Sequence, residues 1–243
     1  MSIDVLVFGP HPDDIEIGLG GTVARHVADG FSVGLCDLTA GEMGSNGTPE
    51  TRRREADAAA RVLGVQWREN LGWPDGGIAP TPELLRSAVD LIRRHRPKSI
   101  AIPFANDRHP DHLAANQVLS KAIFMSGLRR YETGQDPWRP DWVCAYFIND
   151  SVPPSFVIDV SSHYEKKREA LACYGSQFTP AGDTAVATRL TASTFRQLIE
   201  SRDAQFGALA GVAFAEGLVV TEPIQRASLL KGLKGLNGLK VRA

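Results

Sequence analysis

Residues 3–22, IDVLVFGPHPDDIEIGLGGT, decide the architecture. Ile3–Phe8 is a short apolar run rich in β-branched side chains, which suits a buried strand of a parallel sheet. A polar loop, Gly9–Glu16, follows it. From about Ile17 to Ala28 the pattern becomes helical, and Gly30 fits its stop. Strand, loop and helix in that order are the opening of a β-α-β unit.

The same alternation continues outward. Val33–Leu38 is a second buried strand, and Thr39–Pro49 is too polar and glycine-rich for an element. Thr48 before Pro49 forms an N-cap with proline at the first helical position. The helix after it places Ala56, Ala59, Ala60 and Leu63 on one face and ends at Gly64. Val65–Arg68 fits a third strand, Asn70–Pro82 a loop, and Thr81-Pro82 a second capped helix start with the stripe Leu85, Ala88, Val89 and Ile92. Lys98–Pro103 fits a fourth strand, and the loop Asn106–His112 leads into a helix over Leu113–Met125. Further on, Val143–Ile148, Ser155–Asp159 and Val212–Val220 read as strands, and Ser161–Tyr174 and Ala192–Phe206 as helices. The fold class is therefore α/β, a Rossmann-like, mostly parallel sheet with helices on both faces. One domain is expected over residues 1–227, with a C-terminal tail over 228–243 whose packing signals are weak.

Composition excludes several classes. The formal net charge of −1 gives no global positive field for nucleic acid or an anionic membrane. Cys36, Cys144 and Cys173 contain no CxxC pair, which excludes a zinc ribbon and suggests free thiols in a reducing compartment. The N-terminus lacks a basic n-region, and no apolar run approaches membrane-spanning length. A cytoplasmic protein with a small-molecule substrate is expected. Gly18-Leu19-Gly20-Gly21 fails the GxGxxG template because Val23 stands where the third glycine belongs, so these glycines are read as close helix–sheet packing.

Two clusters carry chemistry. His11-Pro12-Asp13-Asp14 follows the first strand, and His109-Pro110-Asp111-His112 follows the fourth. In the commonest doubly wound order, 3-2-1-4, strands one and four are neighbours, and ligands bind beyond their carboxyl ends. The two clusters then meet at one crevice, which holds three of the six histidines. Each cluster alone reads equally well as a helix cap; together they suit a zinc site with three protein ligands and a water. Spacing does not assign the ligands.

HPDDIEIGLGGT (11–22) and HPDHLAAN (109–116) resemble the two signature motifs of the PIG-L/LmbE N-acetylglucosaminyl deacetylases. GEMGSNGTPETRRREADAAARVLG (41–64), NLGWPDGG (70–77), NDRHPDH (106–112) and YGSQF (174–178) resemble the bacillithiol branch, the N-acetylglucosaminyl-malate deacetylases. The likeness runs to about residue 225. It implies hydrolysis of an N-acetyl amide, with His11, Asp14 and His112 holding Zn2+ and Asp13 as general base. It also implies a cationic His109 near the oxyanion, oriented by Asp111, and sugar hydroxyls held by Arg52 and Asp75. Trimeric or hexameric assembly belongs to the same resemblance. Arg108, beside the site, is a candidate for the malate carboxylate. Fe2+ suits a His/His/Asp site as well. Phe195 stands near where related enzymes place an assisting tyrosine, and Trp73 is a candidate to reshape the sugar pocket. The competing readings are a deacylase of another amino-sugar conjugate, a nucleotide-dependent enzyme on the same fold, and a metal-binding protein without catalysis.

Overall fold

The apolar runs of the first half become adjacent parallel strands. The computed structural model describes residues 2–183 and 185–224. Its strands are β1 (Val5–Gly9), β2 (Val33–Thr39), β3 (Trp67–Trp73), β4 (Ser99–Pro103), β5 (Trp142–Tyr146), β6 (Phe156–Asp159) and β7 (Ala215–Val219). They form one sheet in the order β3-β2-β1-β4-β5-β7-β6. The first five strands are parallel, and β7 runs antiparallel to both β5 and β6. The helices are α1 (Asp14–Ala28), α2 (Pro49–Leu63), α3 (Pro82–His95), α4 (Pro110–Ser126), α5 (Tyr164–Ala172), α6 (Gly175–Phe178) and α7 (Ser193–Ala210).

Strand β1 shows how the layers are built. Its side chains alternate across the sheet. Leu6 and Phe8 enter the core with Leu85, Ile92 and Val118 of α3 and α4, while Val7 enters the core with Ile17, Ala59 and Leu63 of α1 and α2. Both faces are therefore covered, which is why β1 and β2 are apolar almost throughout.

Several boundaries depart from the sequence reading. Strand β3 runs to Trp73, through residues read as loop. It is the sheet edge, so its polar WRENLGW pattern carries no buried run, and pairing with β2 sets its extent. Helices α1 and α4 begin at Asp14 and Pro110, a few residues earlier than expected, because the polar motif residues form their first turns. The segment read as one helix over Ser161–Tyr174 is a short 3-10 turn, Ser161–His163, followed by α5. The proposed tail, 228–243, lies outside the described residues.

The glycines of α1 are contact points. A Cβ at Gly18 would sit 2.3 Å from Tyr146, and one at Gly21 would sit 2.8 Å from Val160. Helix α1 breaks its regular geometry at Leu19 (φ −135°, ψ 16°). Buried charges satisfy the groups freed there. Glu216 accepts from the Gly21 and Thr22 amides at 3.0 and 2.7 Å, and Arg202 donates to the Ile17 carbonyl at 2.7 Å. Lys167, fully buried, bridges Glu216 and Asp203 at 2.7 and 2.6 Å.

The expected caps form. Thr48 Oγ1 accepts from the Thr51 amide at 3.2 Å, Pro49 opens α2, and Gly64 closes it at φ 73°. Thr48→Ala is expected to lower the unfolding free energy by about 1 kcal/mol in a denaturant melt. An unchanged midpoint would show that packing alone holds this helix start.

Candidate metal centre and active site

The site lies beyond the carboxyl ends of β1 and β4, where the strand order switches direction. The turn after β1 is pinned from β2: the Pro10 carbonyl accepts from both the amide and the hydroxyl of Thr39, each at 3.0 Å. Asp13 then takes φ 109°, in the left-handed region that only Asn and Asp among larger residues visit with any ease. Arg52 of α2 braces this strained residue. Its guanidinium donates to the Pro12 carbonyl and to Asp13 Oδ2, the latter at 3.2 Å. The tight turn places the Asp13 and Asp14 carboxylates at the start of α1, where the helix dipole favours negative charge.

The second cluster is set by α4. His109 is its N-cap, Pro110 its first residue, and His109 Nδ1 accepts from the Asp111 amide at 3.3 Å. This fixes the tautomer: a neutral His109 carries its proton on Nε2.

Three donors converge. Asp14 Oδ2 lies 3.1 Å from His11 Nδ1 and 3.3 Å from His112 Nε2. The other nitrogens of both imidazoles meet carboxylates. His11 Nε2 lies 3.0 Å from Asp75 Oδ1 and 3.2 Å from Asp111 Oδ2, and His112 Nδ1 lies 3.1 Å from Asp107 Oδ1, off the best hydrogen-bond line. Imidazoles backed by carboxylates are what metal-ligating histidines usually show. The donors of His11, His109 and His112 also fall within 4.8 Å of one another, as do those of His11, Asp75 and Asp111. The residues therefore fit a divalent metal, and two nitrogens with a carboxylate oxygen suit zinc or ferrous iron.

Burial sets the electrostatics. It pushes the Asp13 carboxyl up to about 7, against the pull of the Arg52 charge. Burial acts the same way on Asp14, but His112 and His11 outweigh it and hold that carboxyl well below its ordinary range. Burial disfavours a charged His112, yet Asp14 and Asp107 bring it up to about 9. For His109, burial and the charges of His11 and His112 all lower the pKa, and Asp14 and Asp111 do not offset them.

The cavity around these groups has a volume of about 290 Å³. His11, Asp13, Asp14, His109 and His112 line it, with Ile17, Leu190 and Phe195 as an apolar wall. Arg52 and Asp75 reach it, and Arg108 stands exposed on its rim, with no acidic partner among the described residues. A larger cavity of about 550 Å³, lined by Asp37, Arg68 and Asn70, contains no histidine or acidic group of the two motifs. Chemistry, not size, picks the site.

Two expectations, on Asp111 and on Trp73, need correction. The Asp111 carboxylate does not orient His109: it meets His11 and accepts from the Gly76 amide at 2.7 Å, so His109 lacks the partner that would keep it cationic. Arg52 and Asp75 line the cavity and already have protein partners there. Arg52 holds Asp13, and Asp75 holds His11 and the Met43 amide. Trp73 is buried in the core with its indole N–H on Ser87, so it shapes no pocket. No tyrosine lines the cavity among the described residues; Tyr146 donates to the Phe8 carbonyl, and Phe195 occupies the wall. Asp107, inside the NDRHPDH stretch, has no role of its own in the sequence reading, and Asn149 escapes it.

Histidine and aspartate donors thus meet at the switch point of a Rossmann-like sheet, an arrangement that could hold a divalent metal. The family described as GlcNAc-PI de-N-acetylase, PIG-L, matches residues 6–123. The diacetylchitobiose deacetylase of Thermococcus kodakarensis is 32% identical over 189 residues, which cover 72% of this chain and 70% of that one. A Bacillus anthracis protein named "probable N-acetyl-alpha-D-glucosaminyl L-malate deacetylase 2" is 28% identical over 191 residues, covering 72% and 81%. The crystal structure of a conserved protein from Thermus thermophilus, TT1542, superposes with a TM-score of 0.85 at 38% identity, covering 93% of this chain and 98% of that one. The chain belongs to the PIG-L/LmbE family of hydrolases that act on N-acetyl amides. No helix among the described residues is long and apolar enough to cross a membrane.

Proposed function

We propose that the protein removes the N-acetyl group from an N-acetylglucosamine conjugate whose aglycone carries carboxylates, in particular N-acetylglucosaminyl-malate on the route to bacillithiol. The observation that carries this reading is Arg108, an exposed cation without an acidic partner among the described residues, on the rim of the cavity that holds the His/Asp cluster. A cavity of about 290 Å³ is at the small end of ligand sites, suited to one sugar ring with its aglycone at the mouth. One relative is named for the malate conjugate and another for diacetylchitobiose, which supports N-acetylated glucosamine conjugates as the broader class.

His11, Asp14 and His112 would hold the metal. Zinc is our assignment, with ferrous iron the alternative. When bound, a divalent cation would supply Lewis-acid chemistry to water and to an acyl oxygen. Asp13 takes the proton from the attacking water as general base. The same carboxyl can return that proton to the leaving amine. His109 offers its Nε2 proton to the acyl oxygen as charge develops there, acting as a neutral donor. Ile17, Leu190 and Phe195 face the cavity where a small acyl group would exclude water.

The test is amine release from N-acetylglucosaminyl-malate against plain N-acetylglucosamine, with metal content measured on the same sample. Faster release from the malate conjugate is expected. Arg108→Ala should cut kcat/KM for that conjugate by about tenfold, the scale of one charge-assisted contact, and leave plain N-acetylglucosamine unaffected. Equal rates on both substrates, before and after the substitution, would remove the carboxylate reading and leave a deacetylase of neutral amino-sugar conjugates.

A further inference from the structure

Asp107 lies between β4 and α4, two residues before His109, and is buried. Its carboxylate is fixed by three N–H groups from two segments. Oδ1 accepts from the His109 amide at 2.9 Å and from Asn149 Nδ2 at 3.0 Å, and Oδ2 accepts from the Asn149 amide at 2.9 Å. The same Oδ1 lies 3.1 Å from His112 Nδ1.

From this geometry we infer that Asp107 is a positioning residue for the metal centre. Its charge lies 3.1 Å from Nδ1 of His112, off the best hydrogen-bond line, and favours the proton on that nitrogen, which leaves the Nε2 lone pair turned toward Asp14. The inference rests on the ligand set His11, Asp14 and His112 proposed above. A carboxylate with its plane held by three donors does not swing in to act as a ligand itself. A proton on His112 Nδ1 leaves Nε2 free to coordinate, whereas the other tautomer would block it. Through Asn149, Asp107 also ties the segment after β5 to the start of α4. One side chain thus fixes His112, the His109 backbone and a wall of the cavity together. The arrangement mirrors that at His11, whose Nε2 is met by Asp75 and Asp111.

The experiment uses the full chain with its metal removed and zinc added back. Zinc affinity is measured by competition with a chromophoric chelator at a temperature well below unfolding, and melting of the metal-free protein is followed separately. Asp107→Asn keeps the size of the side chain and an acceptor for the His109 amide but loses the charge facing His112. Asp107→Ser removes that contact by shortening and serves if the first variant folds poorly. Zinc affinity is expected to fall about 10–100-fold, the usual cost of losing such a partner. Affinity within about twofold of wild type in both variants, whatever the melting shows, would make Asp107 a purely structural brace and overturn the inference. A wild-type protein that binds no zinc would remove the ligand set itself, a failure distinguishable from the first.

Discussion

Asp13→Asn is expected to lower kcat by about 10²–10⁴-fold while metal content and fold stay unchanged. The substitution is nearly isosteric, and asparagine tolerates the left-handed backbone at φ 109° as well as aspartate does. An amide oxygen still accepts from Arg52, so the brace on the turn survives. What is lost is the capacity to take and return a proton. The pH profile adds a second signature. A base works only when deprotonated, so activity falls as pH drops through its pKa. Burial sets that value at about 7 in the metal-free protein, and a cation beside it moves the acid limb lower. The variant should lose this limb along with the rate. Retention of more than about a tenth of the wild-type kcat at full metal occupancy would mean another group takes the proton.

The inner sheet and the meeting of the two clusters were legible because buried parallel strands are written as apolar runs. The switch between β1 and β4 then follows from topology. Polar edges were not legible: β3 is a strand because β2 lies beside it, and nothing in WRENLGW demands it. Side-chain pairing inside the site was also beyond the sequence. His109 and Asp111 are two residues apart, yet the N-cap geometry of α4 gives His109 the Asp111 amide and sends the carboxylate across to His11. Asp107 had one signal, an acidic residue in the NDRHPDH stretch, which could not be told from an ordinary loop aspartate. Nothing in the sequence marks Lys167, Asp203 and Glu216 as buried, since only the break in α1 creates the groups they satisfy.

Removal of the metal is expected to abolish deacetylation, by at least about 10³-fold, without unfolding the protein. In the metal-free site His11 and His112 pair with Asp14, Asp75, Asp111 and Asp107, so the buried carboxylates keep partners. Saturation works in the other direction. A cation at about a thousand times its dissociation constant adds about 4 kcal/mol to stability, or roughly 10 °C in Tm for a chain of this size. Coordination displaces protons from the imidazoles, so uptake weakens as pH falls. His112→Ala removes one of the three converging donors and leaves Asp14 with His11 alone. The thermal shift on adding zinc should then largely vanish, together with activity, while the metal-free melting temperature changes far less. A variant that still takes up one equivalent of zinc with the wild-type shift would put the cation elsewhere, and His11, Asp75 and Asp111, whose donors lie within 4.8 Å of one another, would become the ligands to test.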